Sequence, residues 1–343
     1  MKRIYNLNLI IQKTLKYEKT KMVFWYFWFL SFAFEQPDKP KEPEKQSEAS
    51  GTTFPSLEPL QQDLPSSSEQ VVRRRVPRTQ QQQAQPTPLT FQLHPSTIKK
   101  LRPFSQCKKY IKFEKKFEFL MLVQYWPGGR CYDYKCSLPQ TLPQLKESFW
   151  LHGLWPQFIL NRNMFCCWSP FNVFQVESQL IKNEPLFQEI KEFWPSVDSC
   201  KLSLYQYDKH GACSLTTYEG KDGPFDYFRM AIELWKKNDV WKILKDSRLK
   251  VETNKLYKLD NLKEIISNAY GGKVAFMCRD LTSIYEIRVC YDHKINKYDP
   301  TPIDCPVKVF KEEKRSCADM VLFKEFPFYL LNIETAPKNN CVY

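Results

Sequence analysis

The chain contains few histidines, no zinc-type ligand cluster and no hydrophobic run long enough for a membrane helix. Only four of its 343 residues are histidine. Zinc sites use clustered ligands such as Cys-x-x-Cys pairs matched by histidines, and the closely spaced cysteines have no such companions. The apolar run "MVFWYFWFLSFAF" at residues 22–34 is shorter than the roughly 20 residues that span a bilayer. We therefore expect no bound metal, no cofactor and no stable membrane span.

The apolar run resembles the core of a secretory signal peptide. Lys19 and Lys21 precede it, and the small residues Ser31 and Ala33 lie near its end. We predict that residues 1–34 form a signal-peptide-like segment, and Met22 is an alternative start of the chain. The two other interpretations of this run are an uncleaved membrane anchor and a buried segment of the fold.

Residues 35–104 are rich in proline, glutamine and serine, as in "QQQAQPTP" at residues 80–87. Such a segment buries too little apolar surface to compensate for the entropy lost on ordering, so we predict a disordered linker. Within it, "RRRVPR" at residues 73–78 is either a processing site or a solvated basic run. The folded domain is expected to occupy residues 105–343.

The cysteine content bears on the cellular compartment of the protein, and the net charge bears on its binding partner. All twelve cysteines follow residue 100, and an even number favours a disulfide framework in an oxidising compartment. The net charge is +13, of which residues 101–343 carry +7. This excess favours a polyanionic partner, although a merely lysine-rich surface has the same composition.

The hydrophobic pattern predicts an α+β domain, because strands and helices do not alternate strictly. Predicted strands cover residues 117–127, 273–278 and 284–292, and predicted helices cover residues 172–193, 223–238 and 259–272. Two apolar helix faces are predicted, formed by Val173, Val176, Leu180 and Ile181 and by Phe225, Phe228, Ile232 and Trp235.

Two short stretches place a histidine directly before a glycine: "FWLHGLWP" at residues 149–156 and "KHGAC" at residues 209–213. Imidazole exchanges protons near neutral pH, and glycine leaves room for a substrate to approach. Two histidines, acting as base and acid, suffice to cleave an RNA phosphodiester through its 2′-hydroxyl. A nearby lysine stabilises the charge on the phosphoryl oxygens, and aromatic rings stack on single-stranded bases.

These two stretches resemble the two active-site signatures of the ribonuclease T(2) family. The resemblance extends over roughly residues 110–320 and includes "VQYWPGGRC" (123–131), "CWSPFN" (167–172), "FWPSVDSC" (193–200), "IYEIRVCYD" (284–292) and "IDCP" (303–306). It implies an α+β fold in which helices pack on a central antiparallel sheet that disulfides staple. It also implies an endonuclease that converts single-stranded RNA to 2′,3′-cyclic phosphates without a metal, in a secreted, endolysosomal or vacuolar setting. We further expect a monomer.

The resemblance also assigns roles to individual residues. His152 would be the general acid, His210 the general base, and Lys209 the cation that stabilises the transition state, while Trp155 would line a base site. The implied disulfides are Cys131–Cys136, Cys278–Cys317, Cys290–Cys305 and a bridge from Cys213 to Cys166 or Cys167. Cys107, Cys200, Cys341 and the remaining member of the Cys166/Cys167 pair are left unassigned and would allow two further bridges.

The chain departs from the family pattern at three positions. Tyr205 replaces a histidine that helps bind phosphate, and Gln206 replaces a glutamate that supports the transition state. Gln206 still donates a hydrogen bond but exchanges no proton as a carboxyl does. Asp208 is not expected to substitute, because it points elsewhere on a helix or strand. Gln157 replaces an aspartate that helps read the base, so the base preference is open.

Two functions are therefore carried forward. The first is a ribonuclease, weakened by Gln206 and Tyr205; the second is a catalytically impaired relative that binds RNA or a protein. Both His152 and His210 lie in complete signatures, which disfavours a structural role on a turn. Trp155 is equally well interpreted as a core residue, and Tyr205 as a base-stacking or space-filling one. His94 and His293 are expected to have no special role.

Overall fold

The structure is a computed structural model that describes residues 98–132, 136–160 and 163–343. The described residues all lie in one compact unit, residues 85–343. The signal-peptide-like segment, the "RRRVPR" run, His94 and the linker up to residue 97 lie outside the described residues. Described contacts begin at Lys99, which pairs with Asn339, and Phe104 donates its backbone amide to Cys200.

A mixed β-sheet forms the centre of the described part of the domain. Its central path runs in the order β2-β1-β5-β7-β3, and β4 and β6 also pair with β5. The strands are β1 (Phe119–Tyr125), β2 (Trp150–Gln157), β3 (Tyr257–Lys258), β4 (Ala275–Arg279), β5 (Leu281–Asp292), β6 (Thr301–Ile303) and β7 (Cys317–Leu322).

Among the strands of the described residues, all pairs are antiparallel except that β7 runs parallel to β5. A parallel pair requires a crossover connection, and here the chain passes through β6 and a helix between the two strands. The expected antiparallel sheet is thus a mixed sheet, while the α+β class is confirmed.

Helices surround the sheet. They are α1 (Pro127–Cys131), α2 (Val173–Lys182), α3 (Glu184–Phe193), α4 (Leu202–Lys209), α5 (Gly223–Lys236), α6 (Val240–Asp246), α7 (Leu259–Tyr270) and α8 (Val307–Ser316), with 3₁₀ turns at Gly211–Thr216 and Phe328–Leu330. In the portion of the chain that the structure covers, every helix is too short or too polar to cross a bilayer.

The apolar sequence of strand β1, interrupted only by Gln124, follows from its position in the sheet. It lies between β2 and β5, and all seven of its residues are buried. Leu120 and Leu122 belong to the main core, whereas Phe119 and Met121 pack on the opposite face with Val309 of α8. Successive strand residues alternate between faces, so a strand covered on both faces is mostly apolar, and its one polar side chain, Gln124, donates a hydrogen bond to the Tyr270 hydroxyl.

The helix predicted over residues 172–193 is two helices. Helix α2 ends at Lys182, and α3 begins at Glu184 with Pro185 in its first turn. Proline has no amide hydrogen to continue the preceding helix, so it begins a new one. Val176 and Leu180 are buried and Val173 is partly buried, as the predicted apolar face requires. Ile181 was predicted to belong to the same face, but it is 38% exposed and does not.

The other predicted elements are present with shifted ends. The predicted helices over residues 223–238 and 259–272 end at Lys236 and Tyr270, and Gly271 adopts a left-handed conformation with φ 80° that ends the second. The stripe from Phe225 to Trp235 packs on the core. The strands predicted at 273–278 and 284–292 are β4 and the greater part of β5.

All twelve cysteines are paired in six disulfides. The three unambiguous pairs expected from the resemblance are present, and Cys167, not Cys166, is bonded to Cys213. The unassigned cysteines form Cys107–Cys166 and Cys200–Cys341. These two bridges attach the segment that contains Cys107 and the C-terminal segment that contains Cys341 to the rest of the domain.

Loss of the Cys200–Cys341 bridge is predicted to destabilise the protein more than loss of Cys290–Cys305. Their sequence separations are 141 and 15 residues. Cys278–Cys317 shortens the longer loop by 39 residues, which leaves 102. Loop-closure entropy then predicts a loss of about 4.7 kcal/mol for the Cys200→Ser/Cys341→Ser variant, against about 3 kcal/mol for Cys290→Ser/Cys305→Ser. Urea unfolding of both variants measures the order, and equal losses would contradict it.

Candidate active site

His152 lies on β2 and is held by a carboxylate from β5. Its Nδ1 atom is hydrogen-bonded to Oε1 of Glu286. Trp194 donates its indole N–H to the backbone oxygen of His152 at 2.9 Å. The side chain of His152 is 18% exposed and that of Glu286 only 5%. With Nδ1 occupied, Nε2 is the ring nitrogen left for proton exchange with a substrate.

Glu286 is buried but surrounded by cations. Burial alone raises the pKa of a carboxyl group, but the charge and hydrogen bond of His152, with Arg288 and Arg130, hold the pKa of Glu286 below its ordinary value. The group is therefore an ionised carboxylate at neutral pH. Glu286 is a residue that the sequence analysis missed. Its signal is a pair of charged side chains, Glu286 and Arg288, within the apolar strand "IYEIRVC".

His210 directly follows α4, which begins after the left-handed Lys201 (φ 63°) and carries the second histidine signature. The His210 backbone amide donates to the carbonyl of Gln206 at 2.8 Å, which completes the last turn. A Cβ atom on Gly211 would lie 2.7 Å from the ring of Tyr227. Glycine therefore allows the chain to pass Tyr227 immediately after the histidine, which explains the second His-Gly pair.

The imidazole of His210 is buried in surroundings that disfavour its protonated form. It is 5% exposed, and its Nδ1 atom has no hydrogen-bond partner among the described residues. Burial, reinforced by the charges of Lys209 and His152, lowers the pKa of His210 well below 6.5, although a backbone contact with Met164 acts in the opposite direction. A base whose pKa is depressed in this way remains unprotonated at mildly acid pH.

Trp155 joins the two signatures. Its ring stacks on that of His210, with centroids 4.7 Å apart and an interplanar angle of 22°, and its edge meets His152 at 5.3 Å. Its indole N–H donates to Oε1 of Gln206 at 2.8 Å. A Cβ on Gly153 would lie 2.6 Å from that oxygen. Gly153 thus permits the close approach of Trp155 and Gln206.

Lys209 and Tyr205 lie one helical turn apart on α4, with the Lys209 Nζ atom 5.5 Å from the Tyr205 ring centroid. Lys209 lines a cavity of about 370 Å³ together with His210 and Trp155. Tyr205 instead stacks on Phe104, with centroids 4.7 Å apart, and packs against the core. The structure therefore brings Lys209 to the histidine pair but does not bring Tyr205 to the cavity.

Two neighbouring polar residues, Asp208 and Gln157, form hydrogen bonds with residues other than the two histidines. Asp208 accepts hydrogen bonds from the Cys107 amide and the Tyr110 hydroxyl, both at 2.9 Å. Gln157 lines the cavity but binds the backbone of Met164 in both directions, at 3.1 and 3.2 Å. Asp208 is thus directed at the N-terminal segment and not at the histidines.

The described residues contain no group of three or more His, Cys, Asp and Glu side chains arranged to hold a metal ion. His293, the remaining described histidine, stacks on Phe117 at 4.1 Å and is 9% exposed. The cavity thus collects His210, Lys209, Trp155 and Arg288, with His152 at the edge of Trp155. Gln206 contacts them through Trp155.

Comparison with known proteins identifies relatives of the part of the chain that contains these residues. The model of the Ribonuclease T2 family matches residues 117–305. Ribonuclease T2 from Danio rerio is 30% identical over 183 residues, which are 50% of this chain and 68% of that protein. Ribonuclease 3 from Arabidopsis thaliana is 27% identical over 205 residues, which are 57% of this chain and 86% of that protein. The solved RNase-related protein from Calystegia sepium is 20% identical, with 61% of this chain and 98% of that chain covered and a TM-score of 0.48.

The depressed pKa of His210 predicts that acid destabilises the protein. Below pH 6.5 the unfolded histidine binds a proton that the folded one rejects, so stability falls as pH decreases, by up to about 1.4 kcal/mol per pH unit until the folded pKa is reached. The His210→Gln variant should lose this dependence. Urea unfolding of both proteins between pH 7 and pH 5 measures the two slopes. Equal slopes would show that folding does not lower the pKa of His210.

Proposed function

The chain belongs to the Ribonuclease T2 family, whose model spans residues 117–305, and we propose that it is an endoribonuclease of single-stranded RNA. The proposed reaction is a metal-independent transesterification that leaves 2′,3′-cyclic phosphate ends. The proposed setting is a secreted or endolysosomal compartment, and the six disulfides support it because such bridges persist where conditions are oxidising.

The observation that carries the proposal is the arrangement of two imidazoles around one indole. His210 stacks on the face of Trp155, and His152 meets its edge. The two histidines come from signatures more than fifty residues apart, yet they reach one small region beside the cavity. Acid–base cleavage of a phosphodiester requires such a pair on opposite sides of the scissile bond.

His210 is suited to be the base. Removal of the 2′-hydroxyl proton requires a neutral imidazole, and burial with the Lys209 charge keeps the pKa of His210 low. The base therefore remains competent in an acidic compartment, where an exposed histidine would be protonated.

His152 is suited to be the acid. Its Nδ1 atom is bound by the Glu286 carboxylate, which orients the ring. The remaining nitrogen, Nε2, then donates its proton to the leaving 5′-oxygen. The two histidines thus have opposite environments, one with a buried carboxylate partner and one without, and this separates their roles.

Lys209 and Gln206 would stabilise the charge that develops on the phosphoryl oxygens. Lys209 lines the cavity next to His210. The Gln206 oxygen accepts from Trp155, which assigns the amide NH₂ to the opposite side of the group as a hydrogen-bond donor. Trp155 is proposed to orient His210 and to border the base site.

A second candidate function is a family member with impaired catalysis that binds RNA or a protein. Gln206 favours this alternative because an amide exchanges no proton. Tyr205 favours it because its ring is stacked on Phe104 and supplies no cation. Retention of both histidines with distinct environments favours the enzyme.

The full-length protein with its disulfides formed is predicted to cleave single-stranded RNA in the presence of a chelator. His210→Ala and His152→Ala should each reduce the rate by about 10²- to 10⁴-fold, the usual contribution of a general acid or base. Electrophoresis of end-labelled RNA measures the rate, and chromatography identifies 2′,3′-cyclic ends. His293→Ala, away from the cavity, is the matched control. Cleavage that survives both active-site changes would assign the reaction to other residues or to a contaminant.

Replacing Gln206 by glutamate is predicted to raise kcat by up to about 10²-fold, because a restored transition-state contact is typically worth this much or more. Glutamate also accepts the Trp155 hydrogen bond, so the packing is retained. Gln175→Glu on the exposed side of α2 controls for added charge. Cleavage by Gln206→Glu alone, with none by the parent, would support the binding function instead.

A further inference from the structure

Arg288 is an arginine of the cavity wall that neither histidine signature contains. It lies on β5 two residues after Glu286, and alternate residues of a strand point to the same face. It lines the same cavity as Lys209 and His210. Its side chain is 14% exposed, so it is largely withdrawn from solvent.

Three side chains fix the guanidinium group. Nη1 forms a short ion pair with Glu312 of α8, and Nη2 lies 3.7 Å from Oε2 of Glu286. The guanidinium carbon lies 5.5 Å from the centroid of the Trp155 ring. The buried Nε atom has no hydrogen-bond partner among the described residues. The group is thus held in place with donor capacity unused.

The position of Arg288 relates it to both histidines. Glu286 joins it to His152, and the Trp155 ring that stacks on His210 also contacts the arginine. A phosphodiester that lies between the two imidazoles would therefore be close to the guanidinium fork. Guanidinium matches phosphate geometry with paired donors, and it stays charged where imidazoles titrate.

Helix α4 contributes one cation to the lining of the cavity. Lys209 lines the cavity, but Tyr205, one turn earlier, stacks on Phe104 and contributes none. Negative charge develops on the phosphate oxygens in the transition state, and several cations stabilise it better than a single lysine does. Arg288, whose side chain is 14% exposed, and Lys308 also line this cavity.

We propose that Arg288 binds the phosphate oxygens of the substrate directly. This inference rests on the proposed function, because the phosphate that Arg288 would bind is the scissile phosphate of RNA. Glu312 and Glu286 hold the arginine in place and partly offset its charge in the empty site. The competing view is that Arg288 serves only to neutralise these two carboxylates.

The test compares full-length variants for binding of 3′-AMP and of adenosine by calorimetry, independently of cleavage. Arg288→Gln should weaken 3′-AMP binding about 10- to 100-fold, as expected for lost hydrogen bonds to a charged group. Adenosine, which lacks the phosphate, should bind both proteins equally. Arg288→Lys keeps the charge without the fork and should bind 3′-AMP with an intermediate loss. Near-ultraviolet circular dichroism verifies the fold of each variant.

Two controls separate phosphate binding from structural support. Arg248→Gln removes the same charge from an exposed pair with Glu264 and should change 3′-AMP binding by less than about two-fold. Glu312→Gln removes the carboxylate but keeps the arginine, so 3′-AMP binding should be retained or tighter. Equal weakening in Arg288→Gln and Glu312→Gln would overturn the proposal.

The outcomes distinguish this inference from the proposed function. The phosphate site is overturned if Arg288→Gln binds 3′-AMP as tightly as Arg248→Gln does. It is also overturned if the parent protein does not bind 3′-AMP, even where that protein cleaves RNA. Arg288-dependent binding of 3′-AMP by a parent that cleaves no RNA supports the phosphate site and rejects the ribonuclease.

Discussion

A buried carboxylate on the central sheet is the constraint on which the site depends. Glu286 is 4% exposed, and an ionised carboxylate in such a position is strongly unfavourable unless cations and hydrogen bonds compensate. His152 from β2 and Arg288 from its own strand provide that compensation. The requirement extends outward, because Arg288 also pairs with Glu312 and lies over Trp155. One charge thus aligns a strand, a helix and an indole ring.

The sheet explains how this alignment spans the molecule. Strand β1 separates β2 from β5, and Tyr125 of β1 is paired in register with both Trp150 and Glu286. One face of β1 supports the main core, while the other packs with α8, which supplies Glu312. The cavity therefore lies on the side of the sheet that α8 covers, and α4 closes it with Lys209.

Part of this arrangement was predictable from the sequence because its signals are local. The apolar run of β1, the glycine that ends α7 and the two His-Gly pairs each follow from neighbouring residues. The break at Pro185 was local as well, but the uninterrupted helical pattern concealed it. Glu286 and Arg288 were not predicted: their charges stand out in an apolar strand, but their partners His152 and Glu312 come from other elements, and nothing near them in sequence indicates those contacts. The same reason left Cys107 and Cys341 unassigned. The catalytic roles of His152 and His210 remain predictions.

The adjacent cysteines have a mechanical consequence. Cys166 adopts a left-handed backbone conformation (φ 51°) and bonds to Cys107, while Cys167 bonds to Cys213 just after His210. The Cys166 amide also donates to the carbonyl of Lys209, and Asp208 accepts from the Cys107 amide. Displacement of the segment at Cys107 is therefore transmitted through covalent bonds and hydrogen bonds to the end of α4. The position of His210, which stacks on Trp155, is therefore coupled to the segment around Cys107.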